Sequence, residues 1–312
     1  MKPVTITISL FILTVATLSG CRDRSQSVNN EAAPATATAT AQPDSYLPSV
    51  PDSLRNVEDR AAYAACHYWD AIDFSNASLI SDTAFIEQHF SNFIAILSLA
   101  PEHKAVEAVD TLMQRADRSP QMFHTISDFA ESYLDHPNSP MRNEEMYILF
   151  LHSILKSQQL PDIEKIRYRH RLDEAMKNRP GIQAADFRYI NRDGIPASLH
   201  NSLKKARTTM LIFYDPECEH CKQIMDMAAS LPLSPDKQII AIDAENDRDA
   251  WTRTKDTLPA EWTVGFATTP ILDNELYSLP GSPTLYILDS EGTVIMKDPA
   301  PDQAFAYMKQ QR

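Results

Sequence analysis

The stretch FYDPECEHCKQI, Phe213 to Ile224, sets Cys218 and Cys221 two residues apart with Glu219 and His220 between them. Just upstream, the apolar run Thr209 to Tyr214 reads as a buried strand, and 219–230 reads as a helix. A strand that ends at the first cysteine and a helix that begins there have a chemical consequence. The helix N-terminus offers unpaired amides and positive dipole to a thiolate at Cys218, while Cys221, one turn on, can close a disulfide with it. On this reading Cys218 attacks and Cys221 resolves. His220 and Glu219 are expected to modulate the pair in opposite senses, a protonated His220 favouring a thiolate at Cys218 and Glu219 opposing it. Zinc ribbons use the same spacing but need a second cysteine pair or two histidines at ligand spacing, and none follows, so no metal site is expected. A copper or zinc carrier using Cys218, Cys221 and a histidine, or an inert structural bridge, are the rival readings.

Working outward, the pattern alternates. FRYINRDGIPASL has strand, turn and strand character around Asp193-Gly194, strands follow at 238–242, 284–288 and 293–296, and helices at 247–257 and 302–311. Residues 181–312 therefore read as an α/β domain. Residues 52–180 differ, because no glycine falls between Cys21 and Pro180 and apolar residues recur at three and four over 55–74, 82–99, 102–117, 120–134, 140–157 and 160–178. That is an all-helical domain. Ser139-Pro140 followed by Glu144 and Glu145 predicts a helix start capped by Ser139.

The first twenty residues carry one basic residue, Lys2, and the apolar run Ile6 to Leu18, too short to span a bilayer and read as a signal peptide over 1–20. Residues 21–51, with the tract APATATATAQP, read as a disordered tether. The formal charge of −13 and pI near 5.1, with no Lys/Arg run, disfavour phosphate-backbone binding, so no nucleic-acid partner is expected. With Cys21 set aside, Cys66, Cys218 and Cys221 remain, and three thiols allow only one internal bridge. Cys66 reads as a buried apolar thiol, with a third redox partner as the alternative. His136, Asn138 and Arg142 in the DHPNSPMR turn are explained by turn chemistry, with peptide binding as the alternative.

Three segments carry a resemblance: GIQAADFRYINRDGIPASL, MLIFYDPECEHC and GSPTLYILDSEGTVIMKD. They resemble the thioredoxin superfamily, and within it the envelope-anchored TlpA/ResA-type thiol-disulfide oxidoreductases. The resemblance implies a central mixed sheet, so the whole reads as an all-helical domain followed by a thioredoxin-like α/β domain. It implies further a cis-proline opposite the cysteines, Pro283, which stands directly before the apolar strand, with Pro280 as the rival, and that the backbone of Ser282 pairs with a substrate strand. The stretches YAACHYWDAIDF, YLDHPNSPMRNEEMY and NRPGIQAADF are similar to a helical family of unassigned role, DUF5106, found before thioredoxin-like domains in Bacteroidetes lipoproteins. Leu18-Ser19-Gly20-Cys21 resembles the bacterial lipobox, which implies acylation of Cys21 and membrane anchoring in the cell envelope.

The implied activity is thiol-disulfide exchange, with reduction favoured over isomerisation or oxidation. Its partners would be disulfide-containing exported proteins and a membrane thiol-reductant donor. No nicotinamide or flavin site appears, so no cofactor is expected. The rival function is a lipid-anchored binding or scaffold protein with slow or vestigial exchange. Two departures from the family motivate it: Ile212, six before Cys218, and Ile224, six after, stand where a proton-accepting acid is usual. Glu219, Glu217 and Asp215 are the substitutes. Glu217 also replaces the usual aromatic residue before the first cysteine.

Overall fold

The computed structural model describes residues 46–245 and 247–310, all within one compact unit, residues 44–312. The signal segment, most of the tether and Cys21 lie outside the described residues. Seven α-helices come first: α1 (Val57–His67), α2 (Ala77–Ser81), α3 (Thr83–Leu97), α4 (Glu102–Ala116), α5 (Pro120–Ala130), α6 (Glu144–Lys156) and α7 (Asp162–Met176). Their starts follow the residue chemistry of N-caps. Asn56, Asn76, Asp82, Ser119 and Asn143 each accept a backbone N–H from the first turn they precede. A single π-helical turn, Glu131–Asp135, continues α5.

One expected start is displaced. Ser139-Pro140 lies in the turn before α6, and Asn143 caps the helix by accepting from Met146 N–H at 3.0 Å. Ser139 serves the turn instead: its hydroxyl donates to the Tyr133 carbonyl and accepts from Met141 N–H at 3.2 Å. The residue before a proline is pushed out of the helical region, and Asn143, four residues on, supplies a strong cap directly before Glu144.

The second half holds β1 (Arg188–Asn191), β2 (Pro196–Ser198), α8 (Leu199–Leu203), β3 (Thr208–Tyr214), α9 (Glu219–Ala229), β4 (Lys237–Asp243), α10 (Arg248–Thr254), β5 (Thr263–Ala267), β6 (Thr284–Asp289), β7 (Val294–Lys297) and α11 (Pro301–Lys309). The strands form one mixed sheet in the order β2-β1-β5-β4-β3-β6-β7, parallel across β5, β4 and β3 and antiparallel elsewhere. Both faces are covered. Met210, Ile212 and Tyr214 of β3 face a core with Cys221, Ile224 and Met225 of α9 and Trp251 of α10. Leu211 and Phe213 face the other core, with Leu199, Leu203, Tyr277 and Tyr286. Such an alternation is what period-2 side-chain placement demands, and each fully buried Leu or Phe contributes roughly 1.5–3 kcal/mol.

The strand β5 is not expected from the sequence, and Gly265 explains part of its form. A Cβ there would lie 2.4 Å from Tyr189 Cδ2 and 2.8 Å from Ile242 Cδ1. Tyr189 cannot yield freely, since its hydroxyl is bonded to Ser202 Oγ at 2.6 Å inside the core. Gly265→Ala is therefore expected to cost about 1–3 kcal/mol by overpacking, read as a lower urea midpoint at unchanged slope. A midpoint equal to the parent's would show that β1 can move aside.

The helical part rests on the β7 side of the sheet through buried ion pairs. The Lys297 side chain is only 3% exposed; its ammonium donates to Glu144 at 2.8 Å and to the carbonyls of Glu174 and Ala175 at 3.0 and 2.9 Å. Arg142 donates to the Asp298 carbonyl at 3.0 Å and to its carboxylate at 2.7 Å across the same seam, while within the helical part Arg179 grips Glu145. Asn178 joins the two parts by donating to the Leu276 carbonyl at 2.7 Å and accepting from Ala185 N–H at 2.8 Å.

Candidate active site

At the end of β3 the chain turns through Asp215, whose carboxylate accepts from Glu217 N–H at 2.8 Å and whose carbonyl accepts from Cys218 N–H at 3.2 Å. That turn delivers Cys218 as the N-cap of α9, in extended conformation, with its sulfur accepting the Cys221 N–H at 3.2 Å. A sulfur in the N-cap role takes up one of the orphan amides of the helix start and sits at the positive end of its dipole. Cys218 is half-buried, Cys221 is 1% exposed, and both are free thiols.

Facing Cys218 is the head of β6, held there by antiparallel pairing with β3, Phe213 opposite Thr284. The Ser282–Pro283 peptide is cis, and the Ser282 carbonyl accepts the Cys218 thiol at 3.7 Å. Cys218, Cys221, Ser282 and Pro283 are thus brought together. Glu219 and His220 are exposed in the first turn of α9. Burial holds the Cys221 thiol well above its ordinary range; a backbone hydrogen bond at Asp215 opposes this, and the Cys218 sulfur reinforces it. Among the described residues no group of three His, Cys, Asp or Glu side chains is placed to hold a metal. Cys66 lies apart, on α1; expected to be a buried apolar thiol, it is instead half-buried against the helical core, with its thiol donating to the Lys104 carbonyl at 3.9 Å and its pKa raised by burial.

The carboxylates suggested by sequence as proton acceptors are otherwise engaged or exposed. Glu217 reaches outward to Arg253 at 2.8 Å, Asp215 shapes the turn, and Glu219 is exposed. A different acid occupies the buried face. Asp243, the last residue of β4, is fully buried and sits in register with Tyr214 of β3. By strand alternation it shares the face of Ile239 and Ala241, which is the face of Cys221. Its Oδ1 accepts from Glu245 N–H at 2.9 Å, while Oδ2 has no hydrogen-bond partner. The Tyr214 hydroxyl, equally buried, is also without one.

Burial pushes the Asp243 carboxyl up to about 7; the Glu245 amide opposes this, and the charges of Glu245, Asp215 and Asp247 add to it. Tyr214 is pushed up chiefly by burial and then by Asp243, with Arg192 opposing and Cys221 adding to the rise. Tyr214 therefore lies within electrostatic reach of both the resolving cysteine and the buried acid. The sequence signal is present in Ile239-Ile240-Ala241-Ile242-Asp243: alternation along a buried strand points a carboxylate inward.

The model of a domain family of unknown function, DUF5106, matches residues 20–178. No curated protein matches the chain. Among solved structures, the chain is similar to a thioredoxin-like protein from Bacteroides caccae, with 32% identity over 84% of this chain and 96% of that one and a TM-score of 0.76. Coverage of that extent takes in both the helical part and the sheet. Two shorter chains also match: a conserved protein of unknown function from Bacteroides fragilis, 31% identical over 41% of this chain and 98% of that one (TM-score 0.39), and the thioredoxin domain of a thiol-disulfide oxidoreductase from Bacteroides vulgatus, 16% identical over 41% and 94% (TM-score 0.34). The chain belongs to the DUF5106 family and, like the Bacteroides caccae protein, joins that helical region to a thioredoxin-like fold.

Proposed function

We propose that this chain is an envelope thiol-disulfide oxidoreductase, anchored through lipid on Cys21, that reduces disulfides in exported proteins. The observation that carries the reading is the seat of Cys218: its sulfur caps α9, takes the Cys221 amide at 3.2 Å and looks onto the Ser282 carbonyl at 3.7 Å. One sulfur is thus open to a partner and the other is buried behind it, the asymmetry that attack followed by resolution requires.

In the first step the Cys218 thiolate attacks one sulfur of a substrate disulfide. The substrate S–S bond breaks, a mixed disulfide forms, and the departing sulfur leaves as a thiolate that takes a proton from water. In the second, Cys221 loses its proton, for which Asp243 is the buried acceptor on the same face of the sheet, and attacks Cys218; the mixed disulfide breaks, Cys218–Cys221 forms, and the substrate leaves with both sulfurs reduced. Two electrons have passed from the chain to the substrate. A membrane thiol donor, itself a protein dithiol, returns them by the reverse exchange.

The test is a trap. Cys221→Ser should accumulate a mixed disulfide with an oxidised protein substrate, visible as a thiol-sensitive higher band and by mass, and should hold it at least about tenfold longer than the parent. Cys218→Ser should form none. Equal disulfide turnover by the parent and Cys218→Ser would overturn the reading.

A further inference from the structure

A cleft of about 830 Å³ runs between the helical part and the thioredoxin-like part. From the sheet side it is bounded by His220, Ser282 and Pro283, next to the reactive sulfur; from the helical side it is bounded by the turn Pro137 to Glu145. The two walls are fixed with respect to each other by the Lys297–Glu144 and Arg142–Asp298 pairs. This volume is near the upper end of small-ligand pockets, and its lining mixes proline rings, Leu285, Ile295 and Met296 with polar and charged side chains.

What lines it decides what fits. Prolines stand on both walls, Pro137 and Pro140 on one and Pro280, Pro283 and Pro299 on the other. Each offers an apolar ring and no backbone N–H, so these positions bring no amide donors to the cleft. The charges are unbalanced in the same sense. Arg142 and Lys297 are already held by Asp298 and Glu144, Glu145 is held by Arg179, and Asp302, exposed in the first turn of α11, enters no ion pair among those of the described residues. A cleft lined with proline rings and carrying a spare carboxylate suits an occupant that is neutral or cationic and brings its own N–H donors. An extended backbone, with its row of N–H groups, is such an occupant.

We propose that the turn 137–145 is the second wall of a substrate groove, in which a non-acidic, extended stretch of polypeptide flanking the target disulfide lies. The groove rests on the oxidoreductase reading and gives the helical domain a role in it, the selection of polypeptide disulfides over small ones. Asn138 is well placed to test it, being exposed on the cleft wall in the helical part and not among the groups that hold the interface together.

The experiment uses the full chain and three disulfides: a peptide with lysine flanks, the same peptide with glutamate flanks, and a small aromatic disulfide with none. A cysteine-free version of the lysine-flanked peptide, fluorescently labelled, reads binding without chemistry. The parent should favour lysine over glutamate flanks by about tenfold in kcat/KM, the preference shrinking with salt. Asn138→Trp, which fills the groove, should lower kcat/KM for the lysine-flanked peptide about tenfold more than for the small disulfide, through KM, and should weaken binding of the cysteine-free peptide to match. Asp302→Lys should erase the flank preference. Loss of peptide and small-disulfide turnover in equal measure by Asn138→Trp, or unchanged peptide binding, would overturn the groove. Absence of any Cys218-dependent turnover with peptide binding retained and lost in Asn138→Trp would leave the groove standing and remove the oxidoreductase reading instead.

Discussion

Asp243→Asn should make the protein more stable at pH 8, by up to about 4 kcal/mol, while slowing release of the mixed disulfide. The carboxyl titrates near 7 in the folded protein against an ordinary 3.8, and each unit of difference corresponds to about 1.4 kcal/mol. The sign follows from which form the fold prefers. A raised folded pKa means that the neutral acid is tolerated and the buried carboxylate is not, so stability is greatest below about pH 4 and is lost as pH rises through about 7. Asparagine keeps the shape and cannot ionise. Its gain should be near zero at about pH 4, grow between there and about 7, and level off above. Denaturant unfolding at about pH 4, 6 and 8 reads this directly, and an equal gain at all three would show that no buried ionisation was removed. The rate test is separate: release of the Cys218 mixed disulfide should rise through about pH 7 in the parent and lose that inflection in Asp243→Asn. A retained inflection would assign the proton to another group. More stability with less activity is the trade expected when a buried acid is kept for its chemistry.

Lys297→Met should be the most damaging single change at the interface, costing about 3–5 kcal/mol. The ammonium is almost wholly buried and serves three acceptors, the Glu144 carboxylate and two carbonyls at the end of α7. Removing it strands a half-buried carboxylate that burial already pushes upward in pKa, against the pull of Lys297. The loss is therefore chiefly the penalty of an uncompensated charge, not the net worth of the pair. The double change Lys297→Met with Glu144→Gln should recover part of it, because the second substitution removes that charge. Thermal and urea unfolding of the three variants settle the matter; a double variant no better than Lys297→Met would locate the cost in the two carbonyls instead.

The long periodic segments are legible because helical spacing over fifteen residues repeats the same signal several times, as in Phe85-His89-Phe90-Phe93-Leu97 of α3. The C-x-x-C at a strand-to-helix junction is legible because its local geometry carries its chemistry. Five-residue elements give too little pattern. In β5, Gly265 interrupts an apolar run of only a few residues, and its reason is a tyrosine ring from β1, far away in sequence. α8 is hidden for the same reason, a short helix tucked after β2. Asp243 is not legible from the neighbourhood of Cys218, where acids within six residues along the chain are the natural candidates, because sheet pairing supplies it from the adjacent strand. The turn chemistry expected of DHPNSPMR is present in the Ser139 hydrogen bonds. Its position on a cleft shared with Ser282 depends on tertiary packing that no local pattern encodes.

Lys297 also sets an order of events. At the end of α7 the Glu174 carbonyl accepts from Lys177 N–H, as a helix end normally does, but the Ala175 carbonyl next to it waits for a side chain 122 residues later. During synthesis the helical part is complete in sequence long before the residue that finishes it exists. A ribosome therefore releases an N-terminal half whose final turn is open to water, and it is the emergence of the last strand that seals it.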